Sequence, residues 1–285
     1  MMKEALPAKI PIPQNEDQPK NNKKRKVCEN CVRPVTTCIC SSLPRNSISL
    51  SNARVIVIQH PLESKRKNRS LPLIEMALAR DKNLAESDTD EDFNFYKIVA
   101  RYWGQKVVDP KIWKMINDPS EPALICFPSN DAIPIEDAME RILNKEKSEE
   151  QAVVKSDASE IDKETDKEIK SNQGSQRKKV NIIFIDATWK YAKEMDSKTM
   201  QNSGWPSHVV KVKLSNFGIN FQPRRFDIRT PPSNDHLCTA ECIAQVLKII
   251  EEDGEELFDA LMRPLDLMVQ QWHSFSEKKK IKNDG

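Results

Sequence analysis

Four cysteines fall within thirteen residues, spaced as Cys28-x2-Cys31-x6-Cys38-x-Cys40. Thiolates this close together can surround one tetrahedral zinc ion, and the metal would fold a segment too small to bury a core of its own. Four thiolates leave no coordination position open for a substrate, so such a site is structural. The other cysteines, Cys126, Cys238 and Cys242, are scattered. The N-terminal residues carry Pro and Lys without an apolar core segment, so no secretory signal is expected. The cluster therefore reads as metal ligation before disulfides, with unligated thiols in a leader segment as the alternative.

Three further groups carry chemistry. Asp186-Ala187-Thr188-Trp189 follows the apolar run Val180–Ile185. A carboxylate there can act as a base, with Thr188 and Trp189 shaping a pocket; equally, Asp186 can be a helix N-cap and Trp189 a core aromatic. Gln59-His60-Pro61-Leu62-Glu63 closes a second apolar run, Ala53–Gln59. His60 and Glu63 can reach a substrate while Pro61 holds the turn, or Glu63 is simply solvated. The basic stretch Lys65-Arg66-Lys67-Asn68-Arg69 fits phosphate contacts or a solvated helix start. Thirdly, Arg229 precedes Thr239-Ala240-Glu241. Thr239 reads as the N-cap of a long helix and Glu241 as a first-turn acid, although the same helix start can bind a ligand carboxylate. Six glycines and no Gly-rich loop argue against a phosphate cradle.

The elements that must position these residues alternate. Strands are expected at Ala53–Gln59, Tyr96–Trp103, Ala123–Phe127, Val180–Ile185 and Val209–Leu214. Helices are expected at Leu71–Arg80, Asp131–Leu143, Tyr191–Met200, from Thr239 onward, at Glu255–Met262, and at Leu265–Phe275 after Pro264. That order implies an α/β fold with a mainly parallel sheet. Ligands then bind beyond the carboxyl ends of the strands, where Asp186 and Phe127-Pro128 would both sit. Asp81–Asp92 reads as an acidic loop. Half of residues 144–179 are Asp, Glu, Lys or Arg and none is aromatic. Such a segment cannot bury enough apolar surface to offset backbone entropy, so a disordered insertion is expected, a solvated helical hairpin being the alternative. With 38% hydrophobic and 31% charged residues, no eighteen-residue apolar run and a net charge of only +2, the chain is not expected to span a membrane. Its charge lies in blocks, as in Lys23-Lys24-Arg25-Lys26, a nuclear-import signal, an RNA-contacting arm or a solubilising tail.

Taken in order, these landmarks resemble the DTW-domain family, and within it the animal-type branch of tRNA-uridine aminocarboxypropyltransferases. The four cysteines resemble its zinc ribbon. Gln59 to Glu63, with Arg66, Arg69 and Leu71-Pro72-Leu73, is similar to its first-strand motif. Asp186-Ala187-Thr188-Trp189 fits its Asp-x-Thr-Trp signature, with Ala187 where many members have Gly. Arg229 with Thr239-Ala240-Glu241-Cys242 is similar to its C-terminal motif, and Arg263-Pro264-Leu265 to the animal-type branch.

Residues 1–26, rich in Pro, Asn and Lys with almost nothing to bury, read as a disordered basic tail. The resemblance implies a zinc ribbon over 27–45 and a catalytic domain over 46–276 with the disordered insertion 144–179 looped out, leaving a basic tail over 277–285. It also implies a fold like the knotted methyltransferases. The implied reaction moves the 3-amino-3-carboxypropyl group of S-adenosylmethionine to N3 of a D-loop uridine in tRNA, releasing methylthioadenosine. Asp186, Thr188 and Trp189 would be catalytic. Phe127, Pro128, Arg229, Thr239 and Glu241 would hold S-adenosylmethionine, and His60, Glu63, Arg66 and Arg69 the RNA. Structural zinc, tRNA as partner and a cytoplasmic or nuclear location follow from the same resemblance. An RNA methyltransferase of related fold and a non-catalytic zinc-ribbon RNA-binding protein are the alternatives.

Overall fold

A computed structural model describes residues 26–78, 93–105, 108–157, 178–214, 224–230 and 236–283. The tail up to residue 25, the acidic loop Asp81–Asp92 and residues 158–177 of the insertion lie outside the described residues. The chain divides into two compact units, the first ending at Cys38 and the second beginning at Ile39. In the first, Cys28 N–H donates to Arg33 O at 2.8 Å, Val27 bridges to Pro34, and a 3-10 turn covers Val35–Thr37.

The second unit is built on two apolar, β-branched runs. Strand β1, Ala53–Gln59, is followed by a one-turn helix α1, Pro61–Ser64, and by α2, Leu71–Leu78. Next come β2, Phe95–Val99; α3, Pro110–Asn117; β3, Ala123–Cys126; and β4, Ile133–Pro134. Then follow α4, Ile135–Asp157; β5, Val180–Asp186; α5, Trp189–Asn202; β6, Val210–Lys213; α6, Thr239–Ile250; and α7, Gly254–Asn283. The six strands form one sheet in the order β2-β1-β5-β3-β6-β4, every pair parallel. An all-parallel sheet is covered on both faces, which is why β1 and β5 are apolar nearly throughout rather than alternating.

The two faces separate by residue parity. Ile56, Ile58, Ile125 and Ile183 point into one core with Ile112 and Ile116 of α3 and Ala192 and Met195 of α5. The other face of β1 and β5 meets α6, which packs in turn on α2 and α7. Each aliphatic side chain fully buried in these layers contributes about 1.5–3 kcal/mol relative to exposure. β1 and β5 run in register from Ala53↔Val180 to Gln59↔Asp186. That last pair puts two polar side chains side by side on the α6 face, at the carboxyl end of the sheet.

Four elements depart from the sequence reading, the first being the strand expected at Tyr96–Trp103, which is β2 and ends at Val99. The helix expected at Asp131–Leu143 begins at Ile135, after the edge strand β4, and runs to Asp157, so residues 144–157 of the expected insertion are helical. Low hydrophobicity argued for disorder there, but Lys, Glu, Gln and Ala are strong helix formers and extend a helix that has already nucleated. The two helices expected on either side of Pro264 are one helix, α7, which also takes in most of the tail expected from residue 277. A mid-helix proline costs about 3 kcal/mol. Here Leu261, Met262 and Leu265 flank it fully buried, and their packing keeps both halves in line. Finally, α3 was not anticipated, although Asp109 caps it by accepting from Lys111 N–H at 2.8 Å and Pro110 opens it.

Candidate active site

The carboxyl ends of β1 and β5 open into a cavity of about 370 Å3. Asp186 ends β5 only 5% exposed. Its Oδ2 accepts from Gln59 Nε2 at 2.6 Å and its Oδ1 from Thr239 Oγ1 at 2.5 Å. Register explains the first contact, because residues paired across parallel strands point the same way. The helix start explains the second. The N-cap of α6 is Cys238, not Thr239 as expected from the sequence, so Thr239 is the first helical residue and its hydroxyl is directed at Asp186. Burial pushes the Asp186 carboxyl above the usual aspartate range; the Gln59 and Thr239 donors oppose this, Glu63 adds to it, and the Arg229 charge opposes it. Asp186 does not cap α5. Thr188 does, accepting from Tyr191 N–H at 3.4 Å.

The same cavity is lined by an ion-pair network. Arg229 Nη1 donates to Glu63 Oε1 at 2.5 Å, and Arg66 Nε donates to Glu63 Oε2 at 3.2 Å. Arg229 Nη2 also donates to the Asn68 carbonyl, joining the segment 224–230 to the loop after α1. Arg224 donates to the carbonyls of Phe226 and Arg229 and fixes that segment's turn. Trp189 supplies a flat apolar wall and meets His236 edge-on, with ring centroids 4.3 Å apart. Phe226 and Leu237 complete the apolar side. Cys238 also lines the cavity, but burial pushes its thiol well up, so it is not a thiolate nucleophile near neutral pH.

Of the residues expected here, Asp186, Thr188, Trp189, Glu63, Arg66, Arg229 and Thr239 line the cavity. Phe127 and Pro128 do not. Phe127 shares the parity of Ile125 and is buried in the opposite core, and Pro128 is exposed. Phe226 and Leu237 supply apolar lining to the cavity instead. Glu241 is buried behind the wall, not on it. Its Oε1 accepts from the N–H groups of Arg225 at 2.6 Å and Phe226 at 3.0 Å, and its Oε2 from Cys238 N–H at 2.8 Å. It therefore positions the 224–230 segment against α6. His60 and Arg69 also stand off the wall. His60 faces the α5 side, stacked on Tyr191 at 4.4 Å, and its Nδ1 accepts from Leu62 N–H at 3.2 Å as the cap of α1. Burial, with the nearby Arg101 charge, holds the His60 ring below the usual histidine range, so it is a neutral acceptor at neutral pH. Gln59 is a functional-site residue to which the sequence motif assigns no role. Its signal was legible: a polar residue closing a buried strand must find a partner.

The thiol cluster is a separate matter. The ligand atoms of Cys28, Cys31, Cys38 and Cys40 all lie within 4.8 Å of one another, and the Cys31 and Cys38 sulfurs are 3.7 Å apart. Four thiolates about 2.3 Å from a tetrahedral zinc are separated by roughly 3.8 Å, so the donor set fits zinc. Val32 sits in the turn at φ 54°, a costly conformation for a β-branched residue, and metal ligation can offset that strain. Purified protein is expected to carry about one zinc per chain. Cys31→Ser or strong chelation should release it and raise the reactivity of the remaining cluster thiols to an alkylating reagent. Metal analysis finding no zinc in protein purified without chelator would refute the site.

A scan against family models matches the DTW domain over residues 25–273. The chain belongs to the DTW-domain family. The DTW match takes in the four cysteines and every residue lining the cavity. Among curated proteins, the chain is 27% identical to tRNA-uridine aminocarboxypropyltransferase A of Arabidopsis thaliana over 260 residues, 90% of this chain and 84% of that one. It is 25% identical to tRNA-uridine aminocarboxypropyltransferase 2 of Drosophila melanogaster over 246 residues, 85% of this chain and 73% of that one. The Macaca fascicularis protein of the latter name is 28% identical over 246 residues, 86% of this chain and 63% of that one. No solved structure matches significantly. The DTW signature itself, Asp186 to Trp189, spans a strand end and a helix start, with the carboxylate bonded to Thr239 of α6 and the tryptophan lining the cavity.

Proposed function

We propose that this DTW protein is a tRNA-uridine aminocarboxypropyltransferase. It moves the 3-amino-3-carboxypropyl group of S-adenosylmethionine to N3 of a D-loop uridine and releases methylthioadenosine. The observation that carries this reading is a buried carboxylate, Asp186, sharing one cavity with the Arg229–Glu63 pair inside a DTW match. The names of the relatives support it.

The chemistry suits those groups. Uridine N3 is a poor nucleophile until its proton leaves, and a positioned carboxylate takes that proton as attack proceeds. The N3 lone pair forms a bond to the terminal carbon of the aminocarboxypropyl chain. The carbon–sulfur bond breaks, its electrons pass to sulfur, and the sulfonium becomes the neutral thioether of methylthioadenosine. Three carbons surround that sulfonium, so orientation alone selects which one reacts. Arg229 supplies the orienting cation for the carboxylate, and Trp189, Phe226 and Leu237 the apolar wall for the nucleoside. The uridine must leave its stack to enter such a cavity. Exposed Lys65 and Lys67 beside it suit contacts to the tRNA backbone.

The experiment is incubation of the protein with S-adenosylmethionine and unmodified tRNA, followed by nucleoside mass spectrometry. The expected products are aminocarboxypropyl-uridine and methylthioadenosine in equal amounts. A methyl-sized increment with S-adenosylhomocysteine would make the protein a methyltransferase. Binding of tRNA without any product would make it a non-catalytic RNA-binding protein.

A further inference from the structure

Glu63 is oddly placed for an RNA contact. Its side chain is only 6% exposed, and both its oxygens are taken by guanidinium groups, from Arg229 and Arg66. These ion pairs contribute little net stability: burying the Glu63 charge is costly, and its partners Arg229 and Arg66 remain 32% and 44% exposed, where solvent weakens the attraction. Holding the 224–230 segment in place does not require one either, since the Arg229 contact to the Asn68 carbonyl and the Glu241 contacts to the backbone already do so. Yet Glu63, Arg66 and Arg229 all stand on the wall of the cavity that holds Asp186.

An anion and a cation fixed side by side on a cavity wall are complementary to one chemical class, an α-amino acid zwitterion. We infer that Glu63 and Arg229 form a receptor for the zwitterionic end of the aminocarboxypropyl group, Glu63 taking the ammonium and Arg229 the carboxylate. This rests on the reading of the cavity as the S-adenosylmethionine site, and it moves Glu63 from the RNA to the nucleoside substrate. The ammonium takes the place of the Arg66 guanidinium, the more exposed of the two Glu63 partners at 44%, so that Glu63, Arg229 and the two ends of the zwitterion form four alternating charges, each with an opposite neighbour. A guanidinium matches a carboxylate in plane and with parallel hydrogen bonds, which an ammonium does not, and this fixes which end of the zwitterion faces which residue. There is a consequence for turnover. The zwitterion leaves on the tRNA, and the by-product, methylthioadenosine, has nothing to offer the pair. The receptor thus separates substrate from by-product at a place remote from the adenine.

The test is calorimetric titration of the full chain with four nucleosides. S-adenosylhomocysteine and methylthioadenosine are both uncharged at sulfur and differ by the zwitterionic limb; decarboxylated S-adenosylmethionine keeps the ammonium and lacks the carboxylate; S-adenosylmethionine has both. We expect S-adenosylhomocysteine to bind roughly tenfold to a hundredfold more tightly than methylthioadenosine, the scale of one or two charge-assisted hydrogen bonds. S-adenosylmethionine should exceed its decarboxylated form by a similar factor. Glu63→Gln and Arg229→Gln should each reduce the affinity of S-adenosylhomocysteine towards that of methylthioadenosine while leaving methylthioadenosine itself unchanged, which also reports that the variants are folded. Equal affinity of wild-type protein for methylthioadenosine and S-adenosylhomocysteine overturns the inference and leaves the proposed function standing. So does an equal loss for both ligands in the variants. Failure of all four nucleosides to bind overturns the proposed function, and the inference with it.

Discussion

Asp186→Asn is expected to slow aminocarboxypropyl transfer by roughly a hundredfold or more, the usual scale for loss of a general base, in protein that stays folded and binds S-adenosylmethionine. The surroundings accommodate asparagine. Its carbonyl oxygen can keep the Thr239 hydrogen bond, and the Gln59 amide can rotate to present its own oxygen to the new NH2 group in place of the 2.6 Å donation it makes to Asp186. The variant therefore removes the proton acceptor and little else. A stability effect separates the two roles further. Burial raises the folded-state pKa of Asp186, so folding favours its protonated form. That contribution is complete below the unfolded value of about 3.9 and is lost as pH rises through the raised folded value. At neutral pH the wild-type protein carries the cost of a buried charge that the asparagine variant avoids, so the variant should melt no lower than wild type there. The rate of the wild-type enzyme should rise with pH, with its acidic inflection above the ordinary aspartate range. Single-turnover product formation beside thermal melts of both proteins reads all of this. A near-normal rate in the variant would remove Asp186 from proton transfer and turn attention to Glu63, the other buried carboxylate on the wall.

What could be read from the sequence followed the strength of the apolar pattern. β1 and β5 were legible almost to the residue because a strand covered on both faces is continuously apolar, and their polar ends, Gln59 and Asp186, mark where it stops. The four cysteines were legible because their ligand geometry is local in sequence. Phe127 and Pro128 misled because a strand end carries two faces. Being at the carboxyl end of the sheet is necessary for lining the cavity, but parity sends Phe127 into the opposite core. The Glu63–Arg229 contact could not be read at all. It joins residues 166 apart, and only the folding of the 224–230 segment over the loop after α1 brings them to 2.5 Å. Residues 144–157 show a different limit. High charge argues against a buried element, yet it does not argue against a helix that continues from a packed one.

Glu241→Ala is expected to be the most destabilising of the substitutions considered for this cavity, although Glu241 touches no ligand-facing surface. The carboxylate is 2% exposed and accepts three backbone N–H groups, two from the segment that carries Arg229 and one from the cap of α6. Its loss leaves those donors without partners in a place where water has little access. Each unsatisfied buried donor costs about 1–3 kcal/mol, so a total loss of about 3–5 kcal/mol is expected after partial relaxation. For a chain of this size the melting temperature should fall by roughly 10 °C. The same change releases the 224–230 segment from the start of α6 while the Arg225–Asp266 and Asp227–His273 pairs still tie it to α7, so the Arg229–Glu63 geometry loosens and S-adenosylmethionine affinity should fall in parallel. Glu241→Gln keeps one carbonyl oxygen for the Arg225 and Phe226 amides but turns an NH2 group towards Cys238 N–H. It should therefore lose about half as much stability, with the cavity largely preserved. Denaturant melts and nucleoside titrations on the pair of variants make the comparison. If the alanine variant melts with wild type and still binds S-adenosylmethionine, the backbone amides have found other acceptors. The segment bearing Arg229 is then held by its Asn68 and Glu63 contacts together with the Arg225–Asp266 and Asp227–His273 pairs to α7.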